Sequence, residues 1–333
     1  MKKLFLLGLC GLLLTACTPE PTADTRFMLN TICTITVYSE ENKDKTAEEL
    51  VNEAFDLCQD YENTLSRTIE GSDIYNINNS NGEPVTVSDD TIEILETAKY
   101  FSELSDGAFD ITTAPLSILW DFEGEDPTVP PDDEIQELLK EVDYTKVKIE
   151  ENTVTLEAPV EAIDLGAIAK GYIADKLAEY LEGNGVTSAI ISLGGNIYAI
   201  GQNSQENRPF NLGVQDPKSE DGSILGYLQL SDKSLVTSGD YQRYFIQDGK
   251  RYHHILDPKT GYPVENELSS VTIISDSSVV GDALSTTCFV LGKDKGLELI
   301  NNFDGVEAIF IDHDDNMYFS DGFGTDLVFN ENK

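Results

Sequence analysis

The sequence is short of positive charge: 22 lysines and arginines stand against 61 aspartates and glutamates, a formal net charge of -39 over 333 residues. The acidic residues run along the whole chain, so a nucleic-acid phosphate backbone would be repelled and nucleic acid is excluded as a partner. Histidine is scarcer still, with only His253, His254 and His313. Past the first twenty residues three cysteines remain, Cys33, Cys58 and Cys288. Their odd number does not make a disulfide framework and their spacings match no metal knuckle. They fall in apolar patterns and read as small core residues. No apolar run reaches the about 20 residues that a comfortable transmembrane helix needs, and no Gly-x-x-x-x-Gly-Lys-Ser/Thr loop is present to cradle nucleotide phosphates.

What is present begins with the leader MKKLFLLGLCGLLLTACTPEPTADT. Two lysines, a short apolar run and small residues ending in cysteine have the build of a secretory signal. Leu14-Thr15-Ala16-Cys17 looks like a bacterial lipobox, which implies cleavage of residues 1–16, lipidation of Cys17 and anchorage to the membrane through it. Residues 17–25, with Pro19 and Pro21, then read as a flexible tether, and 26–333 as one folded unit.

Within that unit, β-branched residues predict a strand over Arg26 to Tyr38 and helical spacing a helix from Lys43 to about Ser66. A second helix is expected over Asp90 to Leu104, a short acidic one near Asp133 to Val142, and two short strands between Thr145 and Pro159. The clearest helix carries the stripe Ile168, Tyr172, Ile173, Leu177, Tyr180 and Leu181, stopped by Gly183 and Gly185. A meander of antiparallel strands follows over Asn211 to Ile274. Helices from about Gly281 and from Lys293, then strands at 306–312 and 316–320, close the chain. This interleaving predicts an α+β fold in one intertwined piece.

Several constellations could carry chemistry. Asp282 and Thr286 lie four apart, on one face of a helix start, where a carboxylate and a hydroxyl either hold a hard cation or simply cap and pack. Asp164 to Lys170 puts an acid, a glycine turn and a lysine at another helix start. Gly194-Gly195 ends an apolar strand and permits close approach of a strand or a ligand. Phe109 and Trp120 bracket Asp110, as a stacking platform or as core. If 242–246 and 250–256 are two strands of a hairpin, His253 and His254 point to opposite faces, and the pattern alone does not choose between them.

Six ordered stretches, FDITTAPLSILWDF, IDLGAIAKGYIADKLAEYLEGNGV, SLGGNIYAIG, VTSGDYQRYF, YHHILDPKTGYPV and DALSTTCFVLG, together resemble the ApbE family of FAD:protein FMN transferases, whose members are often bacterial lipoproteins. The resemblance covers most of residues 26–330 and implies a T-fold-like α+β unit. It implies that FMN passes from FAD to a threonine or serine hydroxyl of a target protein in a phosphoester bond, releasing AMP, with Mg²⁺ required. By similarity Asp282, Thr286 and the Ala167 carbonyl bind Mg²⁺. Asp164, Lys170, Ala108, Phe109 and Asp110 contact FAD, Thr237, Ser238 and Gly239 line the same cleft, and Leu29 belongs to the flavin pocket. The family histidine is the one before Ile in His-Ile-x-Asp-Pro, here His254. Some relatives carry an aspartate where this chain has Ser285, which bears on a second metal contact, and often Met-Gly-Thr where it has Leu29-Asn30-Thr31. The implied partner is a secreted or membrane redox protein. The alternatives are an FAD pyrophosphatase that uses water as acceptor and a non-catalytic FAD-binding lipoprotein.

Overall fold

The computed structural model describes residues 20–219, 221–325 and 327–332; Cys17 and the leader lie outside them. The fold is α+β. An eight-stranded antiparallel sheet runs in the spatial order Thr22–Met28, Thr31–Glu40, Val186–Leu193, Asn196–Gly201, Lys233–Gly239, Leu268–Ser275, Glu307–Asp312, Met317–Phe319. It stays open and does not close into a barrel. Among the described residues eight α-helices accompany it: α1 (Ala47–Leu65), α2 (Asp73–Asn78), α3 (Asp89–Leu104), α4 (Ala114–Trp120), α5 (Asp132–Leu138), α6 (Ala169–Gly183), α7 (Ser278–Leu291) and α8 (Lys293–Asn301). None among the described residues is long and apolar enough to cross a membrane.

The first expected strand is in fact a hairpin. Leu29 and Asn30 both take positive φ, 54° and 55°, and turn the chain between two strands. Asparagine tolerates that region and makes such two-residue turns. Thr22 to Thr25, expected in the tether, already pair with Val37 to Thr34, so the ordered sheet begins earlier than the proline-rich composition suggested. Helix α1 starts at Ala47, after a Thr46/Glu49 capping box that satisfies two free backbone amides.

Side chains alternate across the large sheet, and both faces are covered. On the Leu268–Ser275 strand Ile273 packs with the helices, in a core shared with Ile173 and Leu177 of α6 and Leu284 of α7. Its neighbour Ile274 packs with Leu212, Val214 and Leu228 of a three-stranded sheet on the opposite face. A third core gathers Leu116, Trp120, Ile135, Phe245 and Leu256. Trp120 is fully buried there, donates Nε1–H to the Gly261 carbonyl at 2.9 Å and stacks on Phe122 and Tyr252. The tryptophan is core, not a stacking platform for a ligand.

Helix α7 begins at Ser278, one turn before the glycine at which it was expected. Its capping residue Ser277 makes no cap of its own. Asp175 of α6 does the work from 102 residues away in sequence, accepting from Ser277 Oγ (2.8 Å) and from the Ser278 and Val279 amides (2.6 and 2.9 Å). Burial pushes this carboxyl up from its ordinary range, and the three donors pull against that rise. Asp175→Ala is expected to leave those amides unpaired and to destabilise the protein by about 2–4 kcal/mol. Urea denaturation measures it, and a loss below about 0.5 kcal/mol would remove the capping role.

Candidate active site

Turns and strand ends from one end of the large sheet converge on a single cleft of about 1960 Å³. The Leu29–Thr31 turn, the Gly194–Asn196 turn, Thr237 and Ser238, Ser269 and His313 border it in the order in which their strands lie in the sheet. The turn into α6 adds Asp164, Ala167 and Lys170, α7 adds Asp282 and Thr286 from its second and third turns and not from its start as expected, and the loop before α4 adds Ala108, Phe109 and Asp110. His253 and His254 both border it as well.

Asp282 is the centre of the polar wall. Only 4 % exposed, it accepts from the Gly171 amide through Oδ2 at 2.9 Å, and Lys170 Nζ lies 3.9 Å from the same oxygen. Gly171 is the third residue of α6, whose cap is Ile168, so its amide has no partner within the helix and Asp282 satisfies it; the Ala167 carbonyl lies before the cap, outside the helical ladder. Gly171 is required at this crossing, because a Cβ there would lie 2.7 Å from Asp282 Cβ and closer still to the Ser278 carbonyl. Ser238 Oγ lies 3.3 Å from Thr286 Oγ1 and 2.8 Å from Ser285 Oγ.

No cluster of three or more His, Cys, Asp or Glu side chains suited to a metal occurs among the described residues. The donors around Asp282 are instead one carboxylate and the Thr286 and Ser238 hydroxyls, with Ala167 on the same cleft wall. They fit a hard cation such as Mg²⁺, which binds one or two carboxylates and completes its shell with water and substrate phosphate.

The other sequence-predicted residues divide into those that face the cleft and those that support it. Asp164 pairs with Arg67 and accepts from the Gly166 amide at 2.6 Å, while Lys170 Nζ donates to the Gly166 carbonyl at 3.0 Å. Asp110 accepts from the Thr112 amide and hydroxyl (2.8 and 2.6 Å) and the Tyr144 amide (3.2 Å), so its carboxylate organises its own loop. Phe109 turns its ring into the core, edge-on to Phe101. Ser285 is fully buried behind Asp282, whose carbonyl accepts its hydroxyl at 2.9 Å. Gly239 is not among the cleft-lining residues and packs against Tyr241 and the Ser269 carbonyl.

The histidines differ in setting. The returning strand ends at His253, earlier than expected, and His253 is buried: Nε2–H donates to the Val264 carbonyl at 3.0 Å and the ring meets Phe289 edge-on. His254 is half-buried, its amide held by the Arg243 carbonyl at 3.0 Å. Burial, with the Arg243, His253 and Lys170 charges adding, lowers its imidazole to about 3. It is therefore neutral across the physiological range.

That shift has a thermodynamic consequence. In the unfolded chain a histidine protonates near 6.5, whereas the folded protein resists protonation until about 3. The unfolded state therefore binds more protons below pH 6.5, and stability falls as pH drops from 6.5 toward 3, by roughly 3 kcal/mol at pH 4 from this residue. His254→Asn should flatten that slope in denaturation measured between pH 7 and 4. An unchanged slope would refute the burial argument.

Residues that the sequence did not mark also converge here. Arg67, Lys218, Arg243, Lys250 and Arg251 join Lys170 around the cleft, and each faces a carboxylate: Asp164, Asp315, Glu123, Glu265, Asp240 and, for Lys170, Asp282. Glu123 accepts from Asn30 Nδ2 at 3.0 Å and pairs with Arg243 at 3.4 Å, tying the first hairpin to the histidine hairpin across the cleft. Asp240 and Asn196 are buried in the wall. Only the general scarcity of cations hinted at the basic residues.

The ApbE family profile matches residues 29–310. The chain belongs to the ApbE family. It is 39% identical over 267 residues to an FAD:protein FMN transferase of Klebsiella pneumoniae, covering 79% of this chain and 82% of that one. An FAD:protein FMN transferase of Treponema pallidum is 36% identical over 299 residues, 85% of this chain and 82% of that one. Among solved structures, the ApbE protein of Thermotoga maritima superposes with a TM-score of 0.83 at 33% identity, covering 91% of this chain and 97% of that one. The flavin transferase ApbE of Vibrio cholerae gives 0.82 at 28%, with the same coverage.

Proposed function

We propose that this ApbE protein is an FAD:protein FMN transferase that moves FMN from FAD to a threonine or serine hydroxyl of an acceptor protein. The observation that carries the reading is that the His254 imidazole and the Asp282–Thr286–Ser238 oxygen cluster border one cleft. His254 takes the proton of the acceptor hydroxyl. The hydroxyl oxygen bonds to the FMN-side phosphorus, the phosphorus–oxygen bond to AMP breaks, and AMP departs with that electron pair.

Asp282, Thr286 and the Ala167 carbonyl would hold Mg²⁺, which when bound neutralises pyrophosphate charge. Lys170 and Arg67 supply fixed positive charge at the same wall, and Asp164 holds Arg67 in place. The leader and Cys17 support an extracytoplasmic enzyme tethered to the membrane by lipid, with a secreted or membrane redox protein as acceptor. At most five residue steps then separate Cys17 from the strand at Thr22, a reach of about 17 Å.

The test is to incubate residues 20–333 with FAD, Mg²⁺ and candidate threonine-bearing acceptors, and to read flavin fluorescence on the acceptor after denaturing electrophoresis. Labelled acceptor and one AMP per label are expected. Free FMN and AMP without label would make the protein a pyrophosphatase, and tight FAD binding without turnover would make it a carrier.

A further inference from the structure

The corner of the cleft beyond the Asp282 cluster has no part in the chemistry above. Asp240 stands one residue past the Lys233–Gly239 strand, its amide still bonded to the Ser269 carbonyl at 3.1 Å. It is 5 % exposed, yet only Oδ2 has a partner, Arg251 at 3.2 Å, with His313 Nδ1 at 4.0 Å. Oδ1 is buried and accepts no hydrogen bond. A buried carboxylate oxygen left unpaired is costly, and in a cleft wall an ordered water or a ligand can supply the missing donor.

Position narrows the ligand. Asp240 follows Ser238 by two residues, roughly 7 Å along the chain, and Ser238 touches Thr286 at the point where the pyrophosphate would lie. The Leu29–Asn30 turn lies on the other side of that point, three strand spacings or roughly 14 Å across the sheet. That end carries the apolar surfaces of Leu29, Leu65 and the 70 % exposed Phe27, which suit a flavin ring. The Asp240 end offers Ser269, Arg251 and His313, which suit a nucleoside. Resting on the transferase reading, we propose that Asp240 accepts a hydrogen bond from a ribose hydroxyl in the adenosine half of FAD, so that it holds the leaving AMP.

The ribityl chain of the flavin half carries similar hydroxyls, and the test separates the two. Binding of AMP, 2′-deoxy-AMP, 3′-deoxy-AMP and FMN is measured by calorimetry with Mg²⁺, on wild type and on Asp240→Asn. A hydrogen bond to a charged acceptor predicts that one deoxynucleotide binds wild type about tenfold or more weakly than AMP. Asp240→Asn should lose a similar factor for AMP, erase that discrimination and leave FMN within about twofold. Equal binding of AMP and both deoxynucleotides to wild type overturns the proposal, and needs no variant to fold. A variant loss confined to FMN also overturns it, placing the ribityl chain at this corner. Failure of wild type to bind either nucleotide would instead remove the FAD reading beneath it.

Discussion

Replacing His254 by alanine is expected to lower flavin labelling of the acceptor by about 10²- to 10⁴-fold, the range general-base catalysis supplies. Binding of FAD should change little, because the imidazole acts on the acceptor hydroxyl. His253→Ala should behave in the opposite way. The His253 ring fills a core position against Phe289 and bonds the Val264 carbonyl, so its removal opens a cavity and costs about 2–3 kcal/mol of stability. Turnover per folded molecule should stay near wild type. The informative comparison is single-turnover labelling alongside thermal denaturation for both variants. If both lose turnover equally while remaining folded, His254 is not the base.

The two histidines also show where the sequence stops being legible. Strict alternation over 250–256 would have put them on opposite faces, but the strand ends at His253 and both border the cleft. What distinguishes them is burial and partners, and neither is local. The stripe from Ile168 to Leu181 could be read directly, because an amphipathic helix writes its buried face at a period of 3.6. The strand Leu268–Ser275 could not be read that way, since every one of its residues is buried between two layers and no alternation survives. The start of α7 was hidden for a similar reason, its cap coming from Asp175 on another helix. Asp282 and Thr286 stood out as a pair at helical spacing, whereas Asp240, Arg67 and Glu123 matter only because the sheet brings separate strand ends and loops to one edge.

Asp282→Asn should produce a folded protein with labelling reduced by about 10²- to 10³-fold, the scale of losing one electrostatic group from a catalytic centre. The amide keeps an oxygen for the Gly171 N–H and roughly the same volume, so only the charge is lost. Affinity for Mg²⁺, followed by titration of activity against free metal, should weaken in parallel. Chelation should silence wild type, and chelator-insensitive transfer would remove Asp282 from metal binding altogether. Gly171→Ala isolates the geometry from the charge. Its methyl would press on Asp282 Cβ and the Ser278 carbonyl, both on α7. Backbone cannot yield as a flexible side chain can, so α6 and α7 must separate at a cost of about 1–3 kcal/mol or more. The separation would break the Gly171–Asp282 bond and move the Asp282 carboxylate away from the start of α6. Labelling should therefore fall in Gly171→Ala although every titratable side chain is intact, and a higher Mg²⁺ concentration should recover part of it. Full activity in Gly171→Ala would mean that the crossing of the two helices does not set the site.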